Sequence, residues 1–177
     1  MQKLHIGEKL NNMKKQINAQ IVADSIGPYG DRITTYLLTF PRFILAELNT
    51  HRMFSRNSAS SRAIPFEKML KMVEEDPFIP IAWQFDHKGM QGNEYVTEES
   101  DYGGIKARNE SWLQARDFAI QQAKDLSSMD TTKQICNRLL EPFMWHTALI
   151  SATEFSNFFK LRCPEYTIDL DNLDSLK

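Results

Sequence analysis

The chain is predicted to fold as an α+β protein, an antiparallel sheet packed with several helices, and three features of its 177 residues lead there. An early pair of segments has the two-residue period of strands. Later segments have the period of helices. There is no internal repeat or strand-helix alternation of the kind that builds a parallel sheet.

Residues 17–26, INAQIVADSI, alternate Ile17, Ala19, Ile21 and Ala23 with Asn18, Gln20 and Asp24, the pattern of a half-buried strand. The turn GPYGD leads to 32–40, RITTYLLTF, which is β-branched and aromatic, so the two segments form a hairpin. Pro41 suits a helix start, and Phe43, Ile44 and Leu48 follow at helical spacing until about Asn49 or Thr50. A second helix is bounded by Pro65 and Pro77, and the polar stretch 86–104 is a loop. A long helix over 105–128 is predicted to bury Trp112, Ala115, Phe118 and Ala119. Asp130 or Thr131 then caps a helix whose inner face is Ile135, Leu139 and Phe143. Residues 145–153 fit a strand or a helix start, and 154–163 a helix. The tail from Pro164 is acidic and has little apolar period.

Length fits one domain spanning 1–177. A net charge of -2 supplies no basic field for nucleic acid, so an anionic ligand must be caught locally. No apolar run reaches the roughly 18 residues a membrane span needs, and no leader pattern opens the chain; a cytoplasmic location is expected. Cys136 and Cys163 are not a C-x-x-C pair, so reduced thiols and no metal site are expected. His146, within an apolar segment, reads as a core histidine, and Phe155, Phe158 and Phe159 as core or subunit interface.

Residues 48–65, LNTHRMFSRNSASSRAIP, concentrate His51, three arginines and four serines behind an apolar helix. Guanidinium forks with hydroxyl donors are what a phosphate monoester requires, because charge-assisted bidentate bonds are strong and fix orientation. A solvated loop whose arginines pair with surface carboxylates has the same composition.

Residue order goes further than composition. Thr50-His51-Arg52 is followed after seven residues by Ser60, with Arg62 two beyond and Ser55 and Asn57 between. Arg138-Leu139-Leu140-Glu141-Pro142 and Asn157-Phe158-Phe159-Lys160-Leu161-Arg162 follow in order. This succession resembles the signature of the flavin-dependent thymidylate synthases, in a divergent branch, over about 17 to 163.

The resemblance implies the thymidylate synthase-complementing protein fold and a homotetramer with active sites between subunits. It implies conversion of dUMP to dTMP with FAD, methylenetetrahydrofolate and NADPH. His51, Arg52, Asn57 and Asn157 inherit flavin contacts; Ser60, Ser61, Arg62 and Arg138 inherit the nucleotide, and Arg162 the pyrimidine. Such a site works by binding, orientation and a polarising field, with no protein nucleophile. The same motifs suit a dUMP hydroxymethylase, or a homologue that binds nucleotide or flavin without catalysis.

The pattern departs in three places. Thr50 stands where the family has arginine, with Arg56 as a substitute anion contact one turn on. Ser151 and Thr153 replace the family's N-x-R. The tail lacks the A-Q-x-E-I helix, so the expectation is either that this branch inserts a segment before it and the chain stops short, or that the helix is absent.

Overall fold

The computed structural model describes residues 16–89, 92 and 94–162, with the backbone alone of Arg162. The predicted hairpin forms as β1 (Asn18–Ile26) and β2 (Arg32–Pro41). At its end, Asp24 accepts hydrogen bonds from Arg32 Nε at 2.8 Å and Thr34 Oγ1 at 2.9 Å. The Arg32 hydrogen bond, then that from Thr34, lowers the Asp24 carboxyl to about 2.

A 3-10 turn (Arg42–Ile44) and α1 (Leu45–Asn49) follow. The chain then re-enters the sheet as β3 (Ser55–Ser58) and leaves through a second 3-10 turn (Ser61–Ala63). Three helices come next: α2 (Phe66–Glu75), α3 (Gly104–Ser128) and α4 (Lys133–Leu140). A third 3-10 turn (Glu141–Phe143) leads into β4 (Trp145–Ala152), and α5 (Ser156–Arg162) closes the described chain. The ambiguous segment 145–153 is thus a strand. It is internal in a four-stranded antiparallel sheet of order β1-β2-β4-β3, with Leu37 opposite Leu149 and Asn57 also opposite Leu149 from the other side.

The helices build their own core from Met69, Val73, Ala123, Leu140, Phe143 and Met144, with Trp112 and Ala119 packed against it. Trp112 Nε1 donates to the Phe78 carbonyl at 2.8 Å, so its polar edge is satisfied inside. The loop before α3 is pressed close to the helix start. A Cβ at Gly104, where φ is +57°, would lie 2.4 Å from the Glu98 carbonyl oxygen.

Three sequence expectations are corrected here. β1 is exposed along its whole length, Ile21 by 53% and Ile26 by 67%, so its alternation marks no face buried within the described chain. On α4 the inner face is Cys136, Asn137 and Leu140; Ile135 is 50% exposed, and the cap is Thr132, whose hydroxyl accepts from the Gln134 N–H at 3.4 Å. The two stripes differ by one residue, and the packing selects the one with Asn137. On α3, Ile120 and Ala123 are buried while Phe118 is 68% exposed and Ala115 is exposed. Cys163 and the acidic tail lie outside the described residues.

Candidate functional site

The segment after α1 is held by β3. Thr50 ends the helix, its hydroxyl donating to the Glu47 carbonyl at 2.7 Å, and the His51 N–H donates to Leu48 O at 3.2 Å. Arg56 reaches back from β3 and donates through Nη1 to the carbonyls of Asn49 at 2.8 Å, His51 at 3.1 Å and Leu48 at 3.3 Å. A cation among carbonyls that lack helical partners is a favourable C-terminal arrangement. Through Nη1, Arg56 thus helps to shape the His51 backbone, a role its sequence position did not suggest.

The His51 ring is set in an aromatic cluster. It lies edge-on to Phe158 with centroids 5.1 Å apart and 5.7 Å from the buried Phe54; Phe54 in turn contacts Phe155 and Phe158 at 5.1 Å each. β3 carries Phe54 to β4, and α5 turns back over the same end of the sheet. Two segments remote in sequence therefore line one cavity of about 420 Å3, with His51, Arg52 and Asn157 beside Phe54, Phe158 and Leu161. Hydrogen bonding with the Ser156 side chain, then its backbone N–H, holds the Glu154 carboxyl at this cavity below its usual range. A polar rim on an apolar wall is the composition of a site for a planar heteroaromatic ring, and the volume falls in the range of small-ligand pockets, about 300–1,000 Å3. The residues present fit an isoalloxazine in that sense. Asn57, exposed on β3, does not line this cavity, and the Arg162 side chain lies outside the described residues.

The residues expected to hold a nucleotide sit on a neighbouring part of the fold. Ser60 and Arg62 are exposed on the second 3-10 turn, where the Ser60 hydroxyl accepts the Arg62 N–H at 3.4 Å. Ser61 between them is buried and donates its hydroxyl to Glu141. Among the described residues neither Arg52 nor Arg62 forms an ion pair. Arg138 opens onto a separate cavity of about 360 Å3 with Arg42, Asn49 and Glu141. The expected set is thus brought together in two groups, His51 with Arg52 and Asn157, and Ser60 with Ser61 and Arg62, while Arg138 stands beside the second group.

His146 is only 4% exposed and packs edge-on to Phe40 at 5.4 Å. Burial, then the nearby Arg42 charge, lowers its pKa to about 4, as befits a neutral core histidine. Ser151 shares a 2.7 Å hydrogen bond with Thr35 across the sheet, so its hydroxyl has a structural partner. Sequence reasoning did not single out Arg42, Asn137 or Glu141. The signal available was a polar residue, Asn137, between Cys136 and Leu140 on one apolar helical stripe.

No protein-family model matches the chain, and no curated protein matches it in sequence. Its fold is shared with solved structures of the UMP/dUMP methylase PolB from Streptomyces cacaoi. The structure bound with 5-Br UMP superposes with a TM-score of 0.58 at 17% identity, covering 77% of this chain and 71% of that one. The structure bound with 5-Br dUMP gives 0.56 at 14%, covering 78% and 74%.

Proposed function

We propose that the protein is a flavin-dependent methylase of uracil nucleotides, converting dUMP to dTMP with methylenetetrahydrofolate as one-carbon donor and NADPH as reductant. The observation that carries the reading is the shared cavity of His51, Arg52 and Asn157, three residues the signature assigns to flavin from two remote segments. The fold held in common with a UMP/dUMP methylase supports the substrate class.

In this reading His51, Arg52 and Asn157 bind and orient the isoalloxazine, and Phe54 and Phe158 keep water from one side of it. Bound flavin, once reduced by NADPH, would supply the reducing equivalents for the transfer. Ser60, Arg62 and Arg138 hold the nucleotide, and Arg162 stabilises the negative charge that develops on the pyrimidine. Asn57 contributes a further flavin contact. Cys136 is fully buried against the Thr131 carbonyl and takes no part as a nucleophile. The active form is a homotetramer with sites between subunits, which is supported by the uncovered apolar residues of β1.

Incubation with FAD, labelled dUMP, methylenetetrahydrofolate and NADPH should give a product heavier by one CH2, a hydrogen replaced by a methyl group, read by mass spectrometry. UMP belongs in the same assay, and a hydroxymethyl product would redirect the reading to a hydroxymethylase. One observation favours a second reading, a binding homologue without catalysis: Thr50, at the position of the signature's first arginine, has its hydroxyl engaged by Glu47. Flavin binding with no product would establish that reading. Absence of flavin absorbance after FAD is added would end both.

A further inference from the structure

The turn that presents Ser60 and Arg62 is held from behind by α4. Asn137 is fully buried, and its Nδ2 donates to the Ser61 carbonyl at 2.8 Å and the Ile64 carbonyl at 2.9 Å, gripping the turn at two points. The Ser61 hydroxyl donates to Glu141 Oε1. Glu141 Oε1 lies 3.5 Å from Arg42 Nη2, and Arg42 Nη1 lies 3.2 Å from His146 Nδ1. The Arg42 backbone N–H donates to Met144 O at 2.9 Å, tying this chain of polar groups to the start of β4. These bonds support the turn from its inner side, with Asn137 Oδ1 left without a hydrogen-bond partner among the described residues, whereas Ser60 and Arg62 on the outer side are exposed.

We propose that Asn137 and Glu141 are positioning residues, which fix the turn so that the Ser60 hydroxyl and the Arg62 guanidinium meet one phosphate, and that Ser61 belongs to this brace. The proposal rests on the reading of the turn as the nucleotide-holding segment. A turn already ordered before binding loses less entropy when the anion arrives, so the brace acts on phosphate affinity without touching the phosphate. Ser61 then contributes through Glu141.

The test is calorimetric titration of dUMP and of deoxyuridine into the full-length protein, Glu141→Ala, Ser61→Ala and the double variant, with folding checked by near-ultraviolet circular dichroism. Each single variant should weaken dUMP about tenfold, equivalent to about 1.4 kcal/mol. Deoxyuridine, which lacks the phosphate, should bind as before. The double variant should be little worse than the weaker single one, because both remove the same link. Were Ser61 itself a phosphate contact, Glu141→Ala would free its hydroxyl and leave dUMP affinity unchanged or raised, which would overturn the proposal. Equal losses for dUMP and deoxyuridine would also overturn it, as a merely structural effect. If Glu141→Ala does not fold, Glu141→Met, which fills the space without an oxygen acceptor, replaces it under the same expectations. Unmodified protein that binds no dUMP would sink the functional reading and the brace with it. Normal binding there, with unchanged variants, would sink the brace alone.

Discussion

The helical half of the molecule and the sheet half solve the problem of burying apolar surface differently. Around Leu140 the helices close on one another, and Met69, Val73, Ala123 and Leu140 have no exposed surface at all. On the sheet, β1 is exposed along its whole length, and the apolar residues Ile17, Ile21, Val22 and Ile26 keep about half or more of their surface exposed. The first half has a closed core, although Phe118 and Met129 on its surface stay exposed. The second carries the aromatic cluster that lines the His51 cavity, while Arg138 and the residues that hold the Ser60–Arg62 turn belong to α4 and its end. Substitutions in the helical core and on the sheet should therefore have different main readouts.

The largest effect should come from the helical core. Leu140→Ala should cost about 3 kcal/mol through lost burial and a residual cavity. The readout is a fall in the midpoint of denaturant unfolding; a loss under about 1 kcal/mol would show that the helical core collapses around the gap. Next comes Arg62→Ala, which removes an exposed charged donor. It should weaken dUMP by roughly thirtyfold, about 2 kcal/mol. FAD retention, followed by absorbance after gel filtration, should not change, and unchanged dUMP affinity would remove Arg62 from the site.

The third prediction concerns pH. An unfolded chain protonates His146 below its usual 6.5, whereas the folded protein resists protonation until about 4. Between these values the unfolded state binds more protons, so the contribution is complete above pH 6.5 and is lost as pH falls toward 4. His146→Gln should flatten that part of the stability profile, and an unaltered slope would assign it elsewhere. The smallest expected effect is on β1: Ile21→Ser should change the stability of the isolated chain by less than about 0.5 kcal/mol, as exposed substitutions do. The same variant should lower the assembled mass seen by light scattering if β1 contributes to the homotetramer.

Legibility followed how local each signal was. The β1–β2 hairpin could be read because its alternation and its Gly-Pro-Tyr-Gly-Asp turn act over neighbouring residues. α2 could be read because prolines bound it at both ends. The face of α4 could not, since Ile135 with Leu139 and Cys136 with Leu140 are equally apolar stripes; the Asn137 hydrogen bonds to Ser61 and Ile64 belong to one of them. Residues 145–153 have the composition of a strand or a helix start, and β2 and β3 on either side decide for the strand. In the site, His51 and Arg52 stood out by residue order, whereas Glu141 and Arg42 look like ordinary surface charges until Ser61 and His146 are brought to them.

By itself the sequence determined the α+β class, the hairpin, most helix boundaries and a short stretch dense in guanidinium and hydroxyl groups, because period, turn chemistry and residue order are properties of adjacent positions. Only the tertiary structure decided that Asn157 joins His51 at one cavity, that Arg56 serves the backbone, and that Ser61 is turned inward to Glu141. Those outcomes depend on which remote segments the sheet and α5 bring together, and a residue's hydrogen-bond partner is set by that meeting and not by its neighbours in the chain.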